Sequence, residues 1–242
     1  TKDFFAPITN SAKTLTKSLR GIQGGVTNLT NSFSGLKRVA MSALSLTALI
    51  KVGKEMVKLS SDLIEVQNVV DTVFGDMADS INEFSKSALK SFGLTELQAK
   101  NFSSTIGAIV KASGLSKDAT LEMSEGITKL TGDVASFYNL DHEVAFEKLR
   151  SGITGETEPL KSLGVVMTVA NLEAYRLSQG ITTSYKSMSE AQKVALRYNF
   201  MLDHLADAQG DFAKTQGSWS NQVRILISNV KQLGSVLGGL LQ

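Results

Sequence analysis

The chain has 242 residues, no cysteine, two histidines and a formal charge of +2, with 42% apolar and 7% aromatic residues. The missing cysteines exclude disulfides and thiolate metal sites, and the apolar fraction suits a chain that folds around a core and excludes wholesale disorder. Two prolines, little strand-type alternation and many Ala, Leu, Lys, Ser and Gln predict an all-α protein.

The charge is unevenly placed. Residues 1–58 hold nine Lys/Arg against two Asp/Glu, residues 59–160 eight against sixteen, and residues 161–242 eight against five. The basic part has scattered lysines without an interleaved aromatic pattern, so specific nucleic-acid binding is not expected. The longest charge-free apolar run, "VAMSALSLTALI" at 39–50, has 12 residues, short of the ~20 that a membrane-spanning helix needs.

From the start of the chain, Ile8, Leu15, Ile22, Leu29, Leu36, Ala43, Ile50 and Val57 recur every seventh residue. A companion row of Ala12, Leu19, Val26, Phe33 and Ala40 interleaves with it and fades at Thr47 and Lys54. Alternating steps of four and three keep an apolar seam facing a partner helix, the signature of a coiled coil. Gly21, Gly24, Gly25 and Gly35 fall outside both rows, and each costs about 1 kcal/mol relative to Ala. Residues 1–58 are therefore expected to form a basic helical arm that needs a partner.

Residues 59–190 lack a sustained heptad and are expected to form a compact helical domain. Helices are predicted over 60–72, 76–92, 95–112, 117–139, 141–151, 168–178 and 188–208. Thr95 with Gln98 in "TELQ" and Ser189 with Gln192 in "SEAQ" match capping boxes, and Asp141 is placed as an N-cap with Glu143 in the first turn. Gly75, Gly93, Gly114, Gly152 and Gly180 are expected helix stops.

Over 191–242, Trp219, Leu226, Leu233 and Leu240 form one heptad row and Val223, Val230 and Leu237 the other, with Phe212, Leu205 and Tyr198 continuing the first row backwards. The Val/Leu alternation favours a parallel dimer, from which Leu237 departs. The expected self-association residues are thus Ile8, Leu15, Leu19, Ile22, Val26, Leu29, Phe33, Leu36, Ile50 and Val57 in the first arm. In the second they are Trp219, Val223, Leu226, Val230, Leu233, Leu237 and Leu240. The alternative is that both stripes pack inside one chain as a bundle.

Candidate chemistry is sparse. Asp141, His142 and Glu143 are adjacent and so point different ways on a helix, and no HxxxH or HxxE partner accompanies them. His204, beside Asp203, reads as a surface residue. No metal or cofactor is expected. The densest stretch is "FEKLRSGITGETEPLKSLG" at 146–164. Glu156 and Glu158 there raise the idea of a glycosidase carboxylate pair, but no aromatic sugar platform lies near them. "GITGET" lacks the Gly-Lys-Ser/Thr ending of a phosphate loop.

A structural reading covers each residue of that stretch. Gly152 ends a helix and Gly155 permits a turn. Thr157 or Glu158 caps a short helix with Pro159 near its start. Leu160 and Leu163 face the core, Gly164 stops the helix, and Arg150 pairs with Glu156 or Glu158.

The segments "LTGDVASFYNLDHEVAFEKLRSGITGETEPLKSLGVVMTVANLEAYRLSQG" and "ALRYNFMLDHLADAQGDFAKTQGSWSNQVRILISNVKQL" resemble the tail tape measure proteins of long-tailed bacteriophages, prophages and phage-tail-like particles. The resemblance covers about 55–240. It rests on Phe137, on Phe146, Glu147, Leu149, Arg150, Gly152, Gly155, Glu156, Glu158, Pro159, Leu160 and Gly164, and on "QGDFAKTQGSW".

The resemblance implies a non-enzymatic, mostly helical protein in the lumen of a tail tube or at the tail tip, assembled in the host cytoplasm and released at genome ejection. It implies several copies, a trimer foremost, contacts with tail tube and tail tip or baseplate proteins, and an encounter with the host membrane at ejection. This chain is short for such a ruler: fully helical, it would span about 360 Å at ~1.5 Å per residue. It is therefore expected to be the ordered part of a longer protein. The rival expectations are a membrane-active helical protein that helps breach the host envelope and a cell-wall hydrolase using Glu156 and Glu158.

Overall fold

The computed structural model describes residues 46–218, 221, 222, 225–229 and 232, and of residues 46–57, 59 and 60 the backbone alone. The chain divides into two compact units, Thr1–Lys54 and Glu55–Gln242. Every element among the described residues is helical, so the all-α expectation holds. The first helix, α1, runs Leu46–Phe74 and is followed by a short 3₁₀ turn, Gly75–Met77. Next come α2 (Ala78–Phe92), α3 (Glu96–Ala112), α4 (Lys117–Phe137) and α5 (His142–Thr154). After the 3₁₀ helix Glu158–Leu163 follow α6 (Val169–Ser178), α7 (Glu190–His204) and α8 (Asp211–Thr215).

Local chemistry accounts for most of these limits. Thr95 and Ser189 each accept the N–H of the residue three on, Gln98 and Gln192, whose side chains accept the Thr95 and Ser189 N–H in return. Both capping boxes read from the sequence are thus present. Ser116 and Thr168 start α4 and α6 with one such bond each. Asp141 stands at the N-cap of α5, but its side chain makes no capping hydrogen bond. Gly93 ends α2 at φ 76°, in the left-handed region where a side chain is disfavoured.

The core forms around α4, which packs against α2, α3, α5 and α8. Its buried residues, among them Thr120, Met123, Ser124, Ile127, Thr128, Leu130, Thr131, Gly132, Asp133, Val134 and Ala135, run around most of its circumference. Small hydroxyl-bearing residues let the neighbouring helices approach closely, and their polar atoms are satisfied. Ser124 and Thr131 donate to the carbonyls of Thr120 and Ile127, and Ser103 bonds Thr128 across the α3–α4 contact at 3.0 Å. Phe102 and Phe146 stack at 4.1 Å and join α3 to α5.

A second cluster of Val70, Phe74, Ala78 and Ile81 seats the end of α1. A Cβ on Gly107 would lie 2.5 Å from Phe74 Cζ, so glycine there admits the ring. Lys111 Nζ donates to the carbonyls of Thr72 and Val73, closing the C-terminal end of α1.

The expected division at 190/191 has no counterpart in the packing. α7 sends Val194, Leu196, Tyr198, Phe200 and Met201 into the same core as α3, α4 and α5, and Leu205 and Ala208 follow. Tyr198, Leu205 and Phe212, the backward continuation of the C-terminal heptad row, are buried in this chain. Tyr198 and Leu205 belong to the main core, while Phe212 lies on α8 beyond the turn at 205–210 and packs at Gly93.

Candidate functional site

Two constellations use the residues that the sequence analysis singled out. The first is the corner at 146–164. Phe146, Leu149, Leu160 and Leu163 are buried, as expected, and Gly164 closes the 3₁₀ helix at φ 76°. Gly152 does not end a helix. It lies inside α5, where an added Cβ would come within 2.5 Å of Met201 Sδ and 2.6 Å of Leu160 Cδ1. Its role is to let α7 and the 3₁₀ helix close against α5. The stop falls three residues later, at Gly155, which has φ 95°. Thr157 and Pro159 open a 3₁₀ helix rather than an α-helix, with no side-chain cap.

Arg150 pairs with Glu147 one turn earlier, not with Glu156 or Glu158. Glu158 bridges to Lys161 at 2.6 Å, with its side chain 83% exposed. The cation that pins the corner is Arg197 of α7, which the sequence reading missed. Its Nη1 donates to the Ile153 carbonyl at 3.0 Å and its Nε to the Tyr185 hydroxyl at 2.9 Å. A Cβ on Gly155 would sit 3.0 Å from Arg197 Cζ. A guanidinium over the last turn of α5 completes main-chain carbonyls and opposes the negative end of the helix. Glu156 and Glu158 are both exposed, and Arg150 engages neither of them.

The second constellation is a joint between α4 and residues 209–222. Asp133, 3% exposed, accepts the main-chain N–H of Gly210 at 2.9 Å and of Phe212 at 3.2 Å. One turn on, the Ser136 hydroxyl donates to Asp211 Oδ2 at 2.5 Å and lies 2.9 Å from the Thr215 hydroxyl. Asn221 Nδ2 donates to both Ser136 Oγ and Thr215 Oγ1. Phe212 fills the notch at Gly93. Further along, Ser228 Oγ donates to the Gly93 carbonyl at 3.2 Å, and Gln232 Oε1 accepts the Glu96 N–H at 3.4 Å.

Asp133 is an acceptor that ties α4 to the segment after α7. Burial pushes its carboxyl above the ordinary carboxylate range, against the two N–H bonds and Lys129, with the Asp211 charge adding to the rise. A sequence signal existed for it: Asp133 falls between Leu130 and Val134 on the inward face of α4, where a carboxylate needs dedicated partners.

Among the self-association residues, Leu226 alone has a described side chain. It is 39% exposed and its neighbour Ile227 51%, while Asn221 and Ser228 on the other side are buried. Ile50 and Val57 lie within α1 with backbone alone described. Ile8, Leu15, Leu19, Ile22, Val26, Leu29, Phe33, Leu36, Trp219, Val223, Val230, Leu233, Leu237 and Leu240 lie outside the described residues.

His142 is buried at the start of α5, and His204 is exposed and stacks on Phe200 at 3.8 Å. Among the described residues no group of three or more His, Asp or Glu is placed to hold a metal ion, and no helix is long and apolar enough to cross a membrane. In comparisons with known proteins, the chain matches no family model, no curated protein and no solved structure.

Proposed function

We propose that this chain is a structural part of a phage-type tail, a piece of a tape measure protein that sets tail length from inside the tail tube and leaves it at genome ejection. It works as a non-enzymatic, homo-oligomeric helical rod, three copies side by side, against tail tube and tail tip or baseplate proteins. The observation that carries the reading is the joint. The stretches "LTGDVASFYNL" and "QGDFAKTQGSW", which carry much of the resemblance, lie some 75 residues apart and meet through Asp133, Ser136, Gly210, Asp211, Phe212 and Thr215. Part of what carries the resemblance, Gly210, Asp211, Phe212 and Thr215 of "QGDFAKTQGSW", is thus spent on holding one segment to another.

The solvent-facing Glu156 and Glu158 support a scaffold over a hydrolase, since catalysis needs two carboxylates held about a bond. The exposed Leu226 and Ile227 support the association stripe: nearby, the polar Asn221 and Ser228 are buried, which leaves these two apolar side chains for a neighbour. A side-by-side helical bundle turns chain length linearly into distance, which is what a ruler needs.

The test is removal or duplication of whole heptads in the full-length gene, with tail length read by electron microscopy. Each heptad should change the tail by about 10 Å, from ~1.5 Å per residue. Tails of unaltered length would overturn the assignment.

A further inference from the structure

We propose that the face around α6, from Val166 to Ile181, is where the domain of one copy meets a second copy of this chain. The inference rests on the homo-oligomeric reading above and adds to it a contact separate from the Leu226 stretch. Ten large apolar side chains are exposed among the described residues, and four of them, Val166, Val169, Leu177 and Ile181, fall within residues 166–181. Scattered singly, such residues need no explanation, but these four are gathered on one short element and are 37% to 62% exposed.

The face is held in place from within. α6 packs on α7 and on the 3₁₀ turn Tyr185–Ser187, and it buries Leu172 and Arg176. Val169 and Leu177, eight residues apart, lie on one side of the helix. Val166 and Ile181 stand just beyond its two ends and are tied back to it. Asn171 Nδ2 donates to the Val166 carbonyl at 2.6 Å, and Arg176 Nη1 to the Ile181 carbonyl at 2.9 Å. A face ordered in advance loses little freedom when a partner arrives.

Charge selects the occupant. Residues 59–160 carry eight Lys/Arg against sixteen Asp/Glu, so copies set side by side repel one another across that part of the domain. Between Lys161 and Lys186 the only charged residues are Glu173 and Arg176. These two pair with each other, and Glu173 Oε1 also accepts the Tyr185 N–H at 2.9 Å. The exposed side chains of the face are therefore uncharged, and copies of an acid-rich domain can approach there without repulsion. An anionic membrane would call for exposed Lys or Arg with Trp or Phe anchors, and this stretch offers neither.

The experiment uses the full 242-residue chain. Val169→Glu combined with Leu177→Glu puts two like charges on the face of every copy, at positions exposed enough to leave the fold intact, which circular dichroism checks. The concentration at which light scattering detects assembly should rise by at least about tenfold. The Leu226 stretch still contributes, so assembly is weakened rather than abolished. Because the chain has no cysteine, Leu177→Cys supplies a single thiol. In the assembled protein it should react with a maleimide more slowly than the single thiol of Ser87→Cys, on the exposed side of α2. A single-chain mass for the unaltered protein would overturn this inference together with the reading it rests on. In an assembled protein, an unmoved assembly concentration in the double variant, or equal labelling of the two thiols, would overturn this inference alone. A thiol at position 177 that slows only when phosphatidylcholine vesicles are added would give the face to lipid and overturn it as well.

Discussion

Gly93 and Phe212 interlock: a Cβ on Gly93 would lie 2.6 Å from Phe212 Cε2, inside the van der Waals envelope of the ring. The C-cap of α2 is thus left bare for an aromatic side chain that arrives more than a hundred residues later. The contact joins the helix termini at 92–95 to the segment leaving α7.

Both partners should be intolerant of change. Phe212→Ala removes a ring that is 1% exposed and should cost about 3–5 kcal/mol. Gly93→Ala meets the ring and also places a side chain at φ 76°, and should cost at least about 1–3 kcal/mol. Urea denaturation monitored by circular dichroism measures both. The paired substitution should cost less than the sum of the two, because removing the ring at position 212 leaves room for a methyl group at 93.

The corner allows a contrast between two arginines. Arg197→Ala strands the Ile153 carbonyl and the Tyr185 hydroxyl and should destabilise by about 2–3 kcal/mol. Arg197→Lys should recover only part of this, since an ammonium cannot reproduce the fork. Arg150→Ala loses only a surface pair with Glu147 and should stay within about 0.5 kcal/mol of the unaltered chain. Equal losses at the two positions would refute the assignment of Arg197 as the pin.

Gly152→Ala should cost about 1–3 kcal/mol, because the new methyl meets Met201 and Leu160. If Gly152 merely sat inside α5 with open space beside it, alanine would be stabilising, since it is the better helix former. Combining it with Met201→Ala should give less than the sum of the single losses, which thermal melting can resolve.

Stability should also depend on pH with a defined sign. Burial raises the Glu125 and Asp133 carboxyls, so the folded chain holds their protons more tightly than the unfolded one. Their contribution to stability is fully present below the unfolded carboxylate range and is lost as the pH rises through the folded values. Asp76 and Glu190, lowered by Lys117 and Lys193, act in the opposite direction but are fully exposed and screened. Melting temperatures across the mildly acidic range should therefore fall less steeply in Glu125→Gln than in the unaltered chain.

The helices were largely legible in the sequence because their limits are local. Thr95/Gln98 and Ser189/Gln192 fix two starts within four residues, and the left-handed glycines mark stops. Partners were much less legible. Proximity in sequence suggested Glu156 or Glu158 for Arg150, but one helical turn places Glu147 nearer. Arg197 reaches the corner only through the α5–α7 packing. Gly152 carries the same letter whether it ends a helix or admits a neighbour, and only Met201 and Leu160 distinguish the two. Tyr198, Leu205 and Phe212 keep the spacing of the C-terminal heptad row and yet are buried, because a seven-residue spacing does not say whether a side chain turns outward or into its own core.

In the proposed rod, the stretch around the exposed Leu226 and Ile227 meets sister copies. Light scattering on the purified chain at micromolar concentration tests this most directly. The expected result is a mass of several chains, reduced to one when Leu226 and Val230 are both replaced by Asp. A single-chain mass for the unaltered protein, or an assembly indifferent to those substitutions, would contradict it.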